Sequence, residues 1–155
     1  MSEIDTIMTE LVARIEGHPQ NPQVSEDFSK AAPLYRGGVT FVPTCLVVER
    51  PDLVLKNSQL GQDPLDWRQR YVSIVSFIRA ASSELGPSDM RAFRDELLNV
   101  VYDSPLRKIG NTGIIKEKQT GQCRMSPEAH DVFAQEIIFR IDYLDNVGDY
   151  FLPTT

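Results

Sequence analysis

The sequence predicts an α+β fold: a four-stranded, mainly antiparallel sheet with two helices packed on it. A long loop or hairpin extension is expected between the first two strands. Three observations carry this. Residues 132–144, VFAQEIIFRIDYL, place Phe133, Ile137, Phe139, Ile141 and Tyr143 on one face and Glu136, Arg140 and Asp142 on the other. That is the period of two of a half-buried strand. Residues 70–81, RYVSIVSFIRAA, form its best partner, with Val72, Ile74 and Ile78 on one side and Tyr71, Val75 and Phe77 on the other. Apolar residues on both faces predict burial on both, so the second face needs a helix or another subunit to cover it. Two further segments repeat apolar residues at spacings of three and four, the mark of amphipathic helices.

In chain order, residues 2–15 form the first helix. Ile4, Ile7, Met8, Leu11, Val12 and Ile15 make its stripe, and Ser2 with Asp5 resembles a capping box. Glu3 and Asp5 suit the positive end of the helix dipole. Gly17 and Pro19 stop it. Residues 18–38, with three prolines, read as a surface connector. The first strand, 39–50, contains Pro43, which belongs at a sheet edge or a bulge because it donates no hydrogen bond.

The segment 51–69 is long for a connection and carries Leu53, Leu55, Leu60 and Trp67. Loops beyond ~12–15 residues without structure of their own are usually functional or disordered, and this one is too apolar for disorder. It either projects as a hairpin that packs outside the domain or folds back over its own sheet. After the 70–81 strand, Gly86-Pro87 opens the second helix. Met90, Phe93, Leu97, Val100 and Val101 form its buried stripe, and it ends near Asp103-Ser104-Pro105. Residues 106–112 connect through a Gly110-Asn111 turn. Residues 113–119, GIIKEKQ, make a short strand whose Lys116 and Lys118 suit an edge. Thr120-Gly121 turns the chain toward the long final strand.

The chain has 155 residues, 41% hydrophobic and 25% charged, the composition of an ordinary soluble domain. One α+β domain over 1–146 and a tail over 147–155 accommodate it. The tail region keeps Tyr150, Phe151 and Leu152, more apolar surface than a free terminus needs. No run approaches the ~20 apolar residues of a membrane span, and the opening MSEIDTIM does not predict a signal peptide. A net charge of −6 with no basic cluster argues against wrapping nucleic acid.

Candidate chemistry is sparse. Cys45 and Cys123 match no ligand spacing and read as free thiols. His18 and His130 lack a ligand at metal spacing and read as surface residues. Glu49, Asp52, Asp63 and Asp66 cluster in sequence, but a solvated acidic loop explains them better than an acid–base pair. No G-x-S-x-G elbow occurs, and Gly37-Gly38 precedes a strand rather than opening a helix. No cofactor or metal is expected.

The helices IDTIMTELVARI and MRAFRDELLNVV, the short strand GIIKEKQ and the closing strand QEIIFRIDYL follow one order. That order is helix, strand, long loop, strand, helix, short strand, long strand. The layout resembles the tail terminator (tail completion) proteins of tailed bacteriophages. The resemblance covers about half the chain and is one of layout and size. It implies a non-enzymatic virion protein, made in the host cytoplasm, that forms a hexameric ring on the end of the tail tube. Its partners would be tube and neck proteins, with DNA passing through without specific binding. A stopper or sheath-linking neck protein, or a small enzyme of another family, are the alternatives. Within the first of these readings, Leu53, Leu55, Leu60, Trp67, Tyr150, Phe151 and Leu152 are the candidate assembly residues.

Overall fold

The computed structural model describes residues 2–27, 29, 41–53 and 67–144. Its elements are α1 (Glu3–Glu16), β1 (Gln23–Ser25), β2 (Thr44–Glu49), a 3-10 turn (Pro51–Leu53) and β3 (Trp67–Arg79). There follow α2 (Gly86–Tyr102), β4 (Lys108–Ile109), β5 (Gly113–Thr120), β6 (Arg124–Met125) and β7 (Val132–Leu144). All the strands join one sheet in the order β1-β2-β3-β7-β5-β4, with β6 also on β7.

This corrects the expected four-stranded sheet. Among the described residues the sheet has seven strands, is mixed because β1 runs parallel to β2, and is curled into a half-barrel. The four strands visible in the sequence are its antiparallel centre, β2-β3-β7-β5. The extra strands are two or three residues long, too short to show a period. Pro43 ends just before β2, and its carbonyl accepts from the Gln23 N–H at 2.8 Å. β2 is therefore covered by β1 and is not the edge that Pro43 implied. Thr120-Gly121 does not reverse the chain either. β5 and β6 lie on the same side of β7, separated by residues 121–123, where Gly121 N–H donates to Glu136 O and Gln135 Nε2 donates to Gly121 O.

Both helices pack on one face of the sheet. Ile7, Leu11 and Ile15 of α1 and Met90, Phe93, Leu97 and Val101 of α2 meet Val72, Ile74, Ile137, Phe139 and Ile141 in one core. Two glycines are required by geometry. Gly110 has φ +64° in the β4–β5 turn, a left-handed conformation that glycine adopts freely. At Gly86 a Cβ would fall about 2.0 Å from the Phe133 ring, so α2 begins in direct contact with β7.

His18 is the second correction. It is buried, not a surface residue. Its Nε2–H donates to Phe93 O at 3.0 Å, its Nδ1 accepts from Gln20 N–H, and its ring stacks on Phe93 at 4.1 Å. The residue after the α1 stop thus pins that stop to α2. His130 is exposed, as the sequence implied.

Candidate functional site

The face of the sheet away from the helices is the candidate site. Alternation along β3 puts Trp67, Gln69, Tyr71, Ser73, Val75 and Phe77 there, and β7 sets Leu144, Asp142, Arg140, Ile138, Glu136 and Ala134 opposite them. Thr44 and Leu46 of β2, with Phe77, bury one end of this face. The other end is open. Trp67 keeps 40% of its surface exposed and Ile114, across from Asp142, keeps 44%. With Gln69 and Asp142 they line a concavity of about 310 Å³.

The charged groups on this face are largely engaged with one another. Arg140 Nη2 lies 3.2 Å from Asp142 Oδ2. Arg50 Nη1 donates to Glu136 at 3.0 Å, and the buried Ser73 hydroxyl donates to the same carboxylate. The remaining Arg50 nitrogens fork onto Asp52 at 3.0 and 2.9 Å. Those bonds hold the Asp52 carboxyl below its usual range and raise the Arg50 guanidinium above its own. Arg140 Nε and Asp142 Oδ1 are buried without a hydrogen-bond partner among the described residues, and beside them the open end presents apolar surface at the ends of β3 and β5. Such a surface binds by burial, with a large aromatic as its anchor.

Of the candidate assembly residues, Trp67 is the first residue of β3 and Leu53 is half-buried in the 3-10 turn. Leu55, Leu60, Tyr150, Phe151 and Leu152 lie outside the described residues, as do Asp63, Asp66, Gly37 and Gly38. Of that acidic cluster, Glu49 Oε2 sits 3.9 Å from Arg70 Nη1 and Asp52 Oδ2 sits 2.9 Å from Arg50 Nη2, so each faces an arginine. Among the described residues no group of three His, Cys, Asp or Glu is placed to hold a metal. Ile114 was not singled out by the sequence and Asp142 was read only as part of the polar face of residues 132–144, because strand pairing brings them beside Trp67 and Gln69.

Cys45 is buried in β2, and burial pushes its thiol up to about 12 against a small opposing effect of the Ser76 hydroxyl at 3.7 Å. A thiol so shifted is a poor nucleophile at neutral pH. Iodoacetamide should therefore label Cys45 in the native protein far more slowly than in urea, as read by peptide mass spectrometry. Equal rates in the two states would contradict the burial.

No protein-family model matches the chain, and no curated protein matches it. Among the described residues no helix is long and apolar enough to cross a membrane.

Proposed function

We propose that the protein is a structural assembly subunit, a tail terminator whose ring caps a phage tail tube and joins it to the neck. The exposed Trp67–Ile114 patch at one end of the sheet carries this reading. Large apolar side chains left open on ordered strands mark contact surfaces more often than catalytic ones. The order of the major elements supports it too. The two helices and the four longer strands follow one another in the order on which the resemblance was drawn, within a sheet that is seven-stranded, mixed and curled rather than four-stranded. A fold alone does not define a function, so the test is assembly itself.

Light scattering should show the protein passing from monomer to a closed ring of about six chains as its concentration rises. Incubated with purified tail tubes, it should decorate one end only under the electron microscope. Trp67→Ala should weaken assembly by ~2 kcal/mol or more, on the order of 30-fold, while leaving the melting temperature nearly unchanged. A Trp67 variant that assembles like the parent would remove the patch from the interface.

A further inference from the structure

Ring closure needs two different patches on each subunit, because every contact joins the front of one copy to the back of the next. One patch is the open end of the sheet. It continues from Ile114 along β5 and β6 through Lys116, Lys118 and Arg124, all exposed. Lys118 is the extra residue at the bulge between Glu117 and Gln119. The strand edge itself is closed over its first half. Ile115 N–H donates to Arg107 O, and Glu117 N–H donates to the Tyr102 hydroxyl. Over that half, contact is left to side chains, basic ones beside an apolar one, rather than to strand addition.

At the other end of the strand order, α1 and β1 flank a groove of about 700 Å³. Met8, Val12 and Val24 form its apolar part, and Asp5, Glu16 and Glu26 supply three carboxylates. Among the described residues lining it there is no Lys, Arg or His. An apolar groove whose described lining carries three carboxylates and no cation fits an occupant with apolar and cationic groups side by side. The strip from Ile114 to Arg124 has that composition.

The geometry points to a second copy of this chain as the occupant: the Ile114, Lys116, Lys118 and Arg124 strip of one subunit seats in the Met8, Val12, Glu16, Val24 and Glu26 groove of the next. This pairing rests on the ring reading above and names both halves of its interface. The apolar groups supply burial, while the charges fix direction, since groove on groove and strip on strip are both like-charged.

Two double variants test it, Glu16→Lys/Glu26→Lys and Lys116→Glu/Lys118→Glu. All four positions are exposed, and glutamine versions cover the case in which charge reversal disturbs folding. Alone, each variant faces like charge with like and should assemble at least about tenfold more weakly than the parent. Mixed in equal amounts, each reversed groove meets a reversed strip, so alternating rings should form at the parent concentration. Parental assembly should also weaken as salt rises. If the parent assembles and the variants do so equally well, the pairing is wrong and the ring reading stands. If both variants are weak and the mixture stays weak, the two patches serve separate contacts and the pairing again fails. A parent that remains monomeric at every concentration overturns the ring and the pairing together.

Discussion

Phe139→Ala should destabilise the protein by about 3–5 kcal/mol, the usual cost of removing a fully buried phenyl ring from a core that cannot collapse around the void. Phe139 is 0% exposed at the middle of β7, between Val72 on β3 and Glu117 on β5. Its ring meets Tyr102 edge-on at 6.3 Å, so the loss includes an aromatic contact at the end of α2. Tyr102 in turn accepts from the Glu117 N–H, which couples the core to the β5 edge. For a chain of this size the expected loss corresponds to a fall in melting temperature of roughly 6–20 °C. Val48→Ala, on the half-buried second face, is the control and should cost much less. A Phe139 variant that melts within a degree or two of the parent would show that β7 does not face the helices.

The two helices and the central strands were legible because each repeats its pattern over many residues. Ile7, Leu11 and Ile15, and Phe93, Leu97 and Val101, are buried where the helical period puts them. The alternation of 132–144 coincides with β7 to the residue. What escaped was set by pairing at a distance. Gln23–Ser25 becomes a strand only because residues 44–46 lie beside it in parallel, and nothing local to QVS signals that. The burial of His18 depends on Phe93 O, 75 positions away. The site was legible in one residue. Trp67 drew notice as a large apolar group in a stretch read as a loop, and its place at the head of β3 makes its exposure significant. Its neighbour Ile114 looked like ordinary strand sequence. Exposure of that kind follows from which strand lies across β7, and composition carries no trace of it.

Glu3→Ala should cost about 3–5 kcal/mol, far beyond what a glutamate in the first turn of a helix ordinarily contributes. The sequence reads Glu3 as a dipole-compensating charge, worth roughly 0.3–1 kcal/mol. The structure gives it a different task. Glu3 is 1% exposed, and its carboxylate accepts from Asn111 N–H at 3.0 Å, Thr112 N–H at 2.5 Å, Asn111 Nδ2 at 3.2 Å and the Thr112 hydroxyl at 2.6 Å. The β4–β5 turn thus folds its donors around one anion from the start of α1. Two turns further along, Glu10 accepts from Gly110 N–H at 2.6 Å. Arg14 then donates to Val101 O and Lys108 O, both at 2.7 Å. Bonds to a charged acceptor are about twice as strong as neutral ones, and removing the carboxylate takes the shared acceptor from four part-buried donors. Glu3→Gln separates charge from shape: its amide keeps one acceptor oxygen but turns an NH2 toward N–H groups, so it should recover only part of the loss. Thr112→Val should couple to Glu3→Ala in a double-mutant cycle, because both remove the hydroxyl–carboxylate bond, while Thr112→Val alone also loses the bonds of that hydroxyl with Leu144. Chemical denaturation of the four proteins decides the matter. A Glu3→Ala loss below about 1 kcal/mol, or full additivity with Thr112→Val, would reduce Glu3 to the dipole role its sequence position suggests.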